Sequence, residues 1–149
     1  MTPLAAQTTL PGFKTVCTSV AFVYVFLASS MVLQGAKVAM APFGLPQETL
    51  DSPHFADFFH WVFVHMVVLG VLIGLLGRYV ERGEHQRTVA RVLFLIEAHY
   101  TYLDLRTSDS PLGNALYHGP RTLIPPAVDL IVLLAFAYLG TRSLKPSQA

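Results

Sequence analysis

Four long apolar segments alternate with shorter polar ones along the chain. They cover residues 13–34, 55–77, 88–105 and 123–140. A helix rises about 1.5 Å per residue, so about 20 apolar residues cross the roughly 30 Å hydrocarbon core of a bilayer. The pattern therefore predicts an all-α integral membrane protein. We expect a single domain over residues 1–149, with four transmembrane helices in an up-down bundle.

The third segment is the most polar of the four, and its central part reads RVLFLIEAHYTYLDLR. It places Glu97, His99 and Asp104 among apolar residues. An ionisable side chain at the centre of a membrane helix costs roughly 2.5–3.5 kcal/mol on insertion scales. This helix is therefore expected to be surrounded by other helices, a cofactor or a partner.

The polar residues of this third segment fall on two faces. At 100° per residue, Glu97 and Asp104 share one face with Thr101, whereas His99 lies about 200° from Glu97. Tyr102 and Arg106 lie on the side of His99. A four-helix bundle has one interior, so the sequence predicts that one face lines it. The other face should contact a partner subunit or a bound molecule.

Composition supports the membrane prediction and excludes several classes of function. Of the 149 residues, 53% are hydrophobic and 13% are charged, compared with about 25% charged residues in soluble domains. A formal net charge of +1 gives no basic surface for nucleic acid. The sequence contains no glycine-rich nucleotide-binding loop. The single cysteine, Cys17, excludes an internal disulfide.

Lysine and arginine predict the orientation. Seven of them lie with the chain ends and the connection between the second and third segments, and three lie with the two longer loops. The positive-inside rule then places both termini in the cytoplasm, which we interpret as a bacterial inner membrane protein. In this orientation the polar residues of the spans lie in the outer half of the bilayer or near its midplane. They are His60, His65, Glu97, His99, Asp104 and Asp129.

The histidines suggest one kind of cofactor. His60 or His65 on the second helix and His99 on the third could ligate a b-type haem, since membrane haems take axial histidines from facing helices. A chlorin bound by one histidine follows the same logic. No spacing motif distinguishes these alternatives.

The carboxyl groups suggest a second kind of chemistry. Glu97, His65 and Asp129 could act as acid and base on a lipid-soluble substrate, or pass protons. Carboxylates and imidazole also ligate metals, but the spacing matches no metal-binding motif, so no metal ligands are assigned.

Two functions remain open on this evidence. The first is a small accessory or structural subunit of a larger membrane complex, of a bioenergetic kind, with the third helix packed against another subunit or a pigment. The alternative is a stand-alone membrane enzyme or binding protein that handles a lipid-like molecule in an outer-half pocket. Membrane lipids are expected partners in both cases, and the sequence leaves open whether the chain is an enzyme.

Overall fold

The computed structural model describes residues 8–114 and 116–146, and the side chain of Pro146 is outside this description. The described residues are 80% helical, and the fold is all-α. Its helices are α1 (Phe13–Met40), α2 (Gln47–Leu50), α3 (Pro53–Tyr79), α4 (Gly83–Thr107) and α5 (Ile124–Thr141). Short 3-10 turns cover Ala41–Phe43 and Pro120–Leu123. Two short strands, β1 (Thr8–Thr9) and β2 (Lys145–Pro146), pair antiparallel.

Three of the described helical segments are long and apolar enough to cross a membrane. They are Phe13–Phe43, Pro53–Tyr79 and Pro120–Thr141. Helix α4 is also long, at 25 residues. It carries more charged residues than the other three long helices and is not one of the candidate spans. The structure thus supports an integral membrane protein with three candidate spans.

The first helix is longer than the predicted segment 13–34. Residues up to Met40 are helical, with a kink at Gly35, where φ is +74°. Glycine lacks a Cβ atom and adopts this left-handed conformation without strain, so the helix changes direction and then continues. The predicted loop after this segment also contains a further helical turn, α2. The other three helices extend beyond or shift from the predicted bounds by one to five residues.

The helices pack as two antiparallel pairs. Helix α3 packs along α1, and glycines permit close approach at this contact. A Cβ atom on Gly77 would lie 2.5 Å from the Cβ of Cys17, and one on Gly70 would lie 2.9 Å from the Cβ of Tyr24. Helix α4 packs along α5, where Gly140 faces the side chain of Arg91. Small residues are the usual means of bringing membrane helices together.

An apolar core joins the two pairs. Its buried residues come from α1, α3, α4 and α5 and include Phe13, Cys17, Ile73, Leu93 and Phe136. A second apolar cluster lies around Ala36, Met40, Leu50 and Phe59, where α1, α2 and α3 meet.

The start of the described chain, its end and the α3–α4 connection meet at one end of the bundle. The backbone N–H of Leu10 donates to Oε1 of Gln86 over 2.7 Å. Arg142 donates from Nη1 to the carbonyl of Pro11 over 3.2 Å. Together with the β1–β2 pair, these bonds hold both described ends on the same side of the bundle.

Candidate functional site

Glu97 is the most deeply buried carboxyl group among the described residues, and it is 0% exposed. It lies on the side of α4 that faces the bundle interior, together with the buried Thr101. The hydroxyl of Tyr24, on α1, donates a hydrogen bond to Oε2 of Glu97 over 2.5 Å. The other carboxyl oxygen, Oε1, has no hydrogen-bond partner. Glu97 thus combines complete burial with an unfilled hydrogen-bonding position.

Two further carboxyl groups follow Glu97 along the contact between α4 and α5. Asp104 of α4 and Asp129 of α5 are half-buried and within hydrogen-bonding distance of each other. Asp129 is close enough to interact electrostatically with Glu97, and so is Tyr100. The bundle therefore places three carboxyl groups along the contact between α4 and α5.

Tyr117 lies next to this group in the loop that leads to α5. Burial, and then the nearby charge of Asp104, raises the pKa of the Tyr117 hydroxyl above its ordinary value. Its ring packs edge-on against Phe43 at 6.1 Å between ring centroids. The backbone N–H of Tyr117 donates to the carbonyl of Thr107 over 3.1 Å. The loop is thereby held against the end of α4 that carries Asp104.

No basic side chain in the described part of the chain compensates these carboxyl groups. The electrostatic and hydrogen-bonding neighbours of Glu97, Asp104 and Asp129 include no Lys, Arg or His. The ion pairs that the structure does describe, Lys37–Asp51 and Arg87–Glu84, lie elsewhere. An ionised carboxylate buried without a counter-charge is strongly unfavourable. A proton or another cationic species is needed here.

The three histidines proposed as cofactor ligands lie on the outer surface of the bundle. His60 and His65 are exposed on α3, and His99 is exposed on α4. Nδ1 of His65 donates to the carbonyl of Trp61 over 2.7 Å, so Nε2 is the ring nitrogen that remains for another contact. The histidines therefore face the bilayer or a partner, and haem ligation by them stays a prediction.

The proposed group of Glu97, His65 and Asp129 is assembled only in part. Glu97 and Asp129 lie together, but the neighbour that completes the cluster is Asp104, whereas His65 points outward from another helix. Among the described residues, no three His, Cys, Asp or Glu side chains are arranged to hold a metal ion. The catalytic roles suggested for these residues stay predictions.

A separate apolar groove of about 610 Å³ opens on the outer surface between α1 and α3. Ala21, Gly70 and Gly74 are among its lining residues, with Phe22 and Phe26 beside them. The rings of Phe22 and Phe26 stack at 5.8 Å between centroids. The carboxyl cluster does not line this groove, so a lipid-like molecule lying there would not contact Glu97.

Tyr24 is the site residue that the sequence argument missed. It lies in the apolar run AFVYVFL of α1, where it could be taken for one more aromatic core residue. A signal was present, because a tyrosine in the middle of a membrane helix needs a hydrogen-bond partner for its hydroxyl. That partner, Glu97, is 73 residues away in the sequence.

No family model matches the chain, and no curated protein or solved structure is significantly similar to it. The function therefore has to be argued from the residues and their geometry.

Proposed function

We propose that this chain is a small integral membrane subunit of a larger bioenergetic complex, in which α4 is a fourth transmembrane helix whose outward face packs against another subunit. In this proposal both termini are cytoplasmic and the membrane is the bacterial inner membrane. The observation that carries the proposal is the exposed polar face of α4.

The packing of α4 supports its assignment as a span. It lies along α5, which is itself a candidate span. At one end Nε of Arg91 donates to the carbonyl of Gly140 over 3.2 Å, and at the other Asp104 meets Asp129. A helix that follows a transmembrane neighbour along this length lies at the same depth in the bilayer.

The outward face of α4 differs from that of α5, the helix it packs along. It exposes His99, Tyr102 and Arg106, and Nη1 of Arg106 lies 3.4 Å from the hydroxyl of Tyr102. Helix α5, by contrast, exposes apolar side chains such as Ile131, which is 69% exposed. Polar side chains on a membrane helix are costly in lipid and are usually satisfied by neighbouring helices.

The charge of this face indicates the chemistry of the partner. Arg106 is a cationic donor, and His99 can donate or accept. We therefore expect a membrane helix that offers acceptors, such as a carboxylate, a hydroxyl or an unpaired carbonyl oxygen. The bioenergetic assignment is supported by outward histidines of the type that ligate metal-bearing macrocycles, and by buried carboxyl groups of the type found in proton-moving proteins.

The test is the size of the particle that contains the chain. After solubilisation in a mild detergent from its own membrane, the tagged chain should migrate with larger polypeptides on a native gel. The double variant His99→Ala/Arg106→Ala should lose this association. The matched control is Ile131→Ala/Leu134→Ala, which alters an exposed apolar face and should leave the association intact. A monodisperse small particle with retained lipid would contradict the proposal.

The same purification tests the alternative of a stand-alone lipid-handling protein. That function has less structural support, since the apolar groove and the carboxyl cluster are separate. An absorption spectrum of the complex would also test the haem prediction, and His65→Ala and His99→Ala would show which histidine binds.

A further inference from the structure

The interior carboxyl cluster has a property that packing against a partner does not require. Asp129 interacts with both Glu97 and Asp104, and hydroxyl groups are their neighbours, namely Tyr24 from α1, Tyr100 from α4 and Tyr117 from the loop before α5. No Lys, Arg or His charge in the described chain acts on these carboxyl groups. Such a cluster is stable in a low-dielectric interior only if it holds protons or another cation.

The free oxygen of Glu97 is an independent indication of a bound species. The residue is 0% exposed, and Oε1 has no partner although Oε2 accepts from Tyr24. Buried polar atoms are rarely left unpaired in proteins, and those that are usually have an unseen ion, a water or a functional role. A proton on this carboxyl group would convert an unpaired acceptor into a hydroxyl that can donate.

Asp104 and Asp129 form a pair of carboxyl groups that needs a proton in order to form a hydrogen bond. Two ionised carboxylates have only acceptors, so Asp104 and Asp129 can form a hydrogen bond only when one of them is protonated. Asp129 interacts with both Asp104 and Glu97, whereas the neighbours of Asp104 are Asp129 and Tyr117. This gives the order Glu97, Asp129, Asp104 and then the loop.

We propose that these residues form a proton-exchange site, in which Glu97 holds a proton in the bundle interior and the Asp129–Asp104 pair exchanges it with the α4–α5 loop. For loading, hydronium at the loop gives a proton to Asp104 and leaves water. The proton shared by the pair then passes from Asp129 to the Glu97 carboxylate. Release follows the same path in reverse, so no other reactant is required.

A proton fits this site better than a metal cation does. The described residues include no group of three side chains with metal-binding geometry. Carboxyl pairs that share protons and line up within membrane helices are a recurrent means of moving protons. The proposal concerns the interior face of α4 and does not require the partner proposed for its outward face, so each can fail without the other.

Infrared difference spectroscopy of the full chain in lipid vesicles tests this site. The carboxylic C=O stretching band of Glu97 should appear on titration between about pH 5 and about pH 9 and shift in D₂O. It should be lost in Glu97→Gln and kept in Glu84→Gln, which changes an exposed glutamate on the same helix. Tyr24→Phe keeps the carboxyl group but removes its hydrogen bond, so it should shift the band. This variant assigns the band to Glu97 even if Glu97→Gln fails to fold.

The relay is tested by the rate of exchange. Asp129→Asn should slow hydrogen–deuterium exchange of the Glu97 carboxyl group by about tenfold or more, since it removes the group that passes the proton. Unchanged exchange would overturn the relay. A Glu97 band that is absent, or independent of pH, over the whole range would overturn the site. A band removed by sodium chloride but not by choline chloride at constant pH would show a sodium site instead.

Discussion

The hydroxyl of Tyr24 donates to Oε2 of Glu97 over 2.5 Å and so joins α1 to α4. This is the one side-chain hydrogen bond between the two helix pairs in which both partners are buried, among the described residues. Apolar contacts in the core have no preferred direction, so they hold the pairs together without setting their exact register. This hydrogen bond fixes one position of α1 relative to α4. Tyr24 therefore positions the Glu97 carboxyl group and also fixes how the two helix pairs pack against each other.

Replacing Tyr24 with Phe should destabilise the protein by about 1–3 kcal/mol, because a buried acceptor loses its only donor. The measurement is thermal or denaturant unfolding in detergent micelles. Tyr138→Phe is the control, since this tyrosine is exposed on α5, and its change should stay within about 0.5 kcal/mol. Equal effects of the two substitutions would show that the Tyr24–Glu97 bond does not contribute to stability.

Gly77→Ala should destabilise the α1–α3 contact by about 1–3 kcal/mol, because the new methyl group meets Cys17 in a packed core. The relevant distance is 2.5 Å between the two Cβ atoms. Gly74→Ala is the matched control on the same helix, because its Cβ would lie 3.2 Å from that of Ala21. The double variant Cys17→Gly/Gly77→Ala should recover part of the loss. Equal melting temperatures for the two single variants would contradict this packing.

The pair Lys37–Asp51, 2.6 Å apart, ties the end of α1 to the segment before α3. The hydrogen bond from Lys37 lowers the pKa of Asp51 the most, and the hydrogen bond from Gln47 lowers it further. The folded-state pKa is thus below the unfolded one. The contact therefore contributes its full stabilisation of the folded state at pH values above the unfolded-state pKa. This stabilisation is lost as the pH falls through the folded-state pKa. Both side chains are exposed, so salt should weaken it.

Carbon-detected NMR of labelled aspartate can follow the titration of Asp51. Lys37→Ala should raise its pKa toward the ordinary value, and Lys14→Ala, at the other end of α1, should not. A pKa of Asp51 that is the same in both variants would show that the pair does not form in solution.

The two faces of α4 follow from the sequence because a helix turns by a fixed angle per residue. Glu97 and Thr101 are buried while His99, Tyr102 and Arg106 are exposed, as that angle predicts. What the sequence does not contain is which helices are neighbours. Helix α4 packs on α5 rather than on α3, so Asp104 meets Asp129, and His65 faces outward from the bundle.

The kink at Gly35 shows a second limit of the sequence pattern. The prediction ended the first helix at residue 34, where the long apolar run gives way to a segment that contains several prolines. The structure instead uses the positive φ of Gly35 to redirect the helix, because Ala36 and Met40 can still pack against Leu50 and Phe59. Tertiary contacts beyond the glycine decide whether the helix stops or bends.

Labelling of single cysteines can decide whether α4 crosses the membrane. Leu112→Cys lies in the α4–α5 loop, where Leu112 is 74% exposed, and Glu84→Cys lies at the start of α4, where the glutamate is also exposed. With four spans these sites are on opposite sides of the bilayer. A membrane-impermeant maleimide should then label Leu112→Cys in intact cells, and Glu84→Cys only after permeabilisation. The native Cys17 is fully buried and should stay unlabelled.

The labelling pattern separates the possible topologies because α4 lies between the two positions. If α4 did not cross the bilayer, both cysteines would be on one side and would be labelled under the same conditions. If the four spans are present but inverted, Glu84→Cys would be labelled in intact cells and Leu112→Cys would be protected. The positive-inside distribution favours the first orientation, since Arg78, Arg82 and Arg87 lie near Glu84. Labelling at both positions in intact cells would contradict the proposed fourth span, and with it the argument that lipid forces the polar face of α4 against a partner.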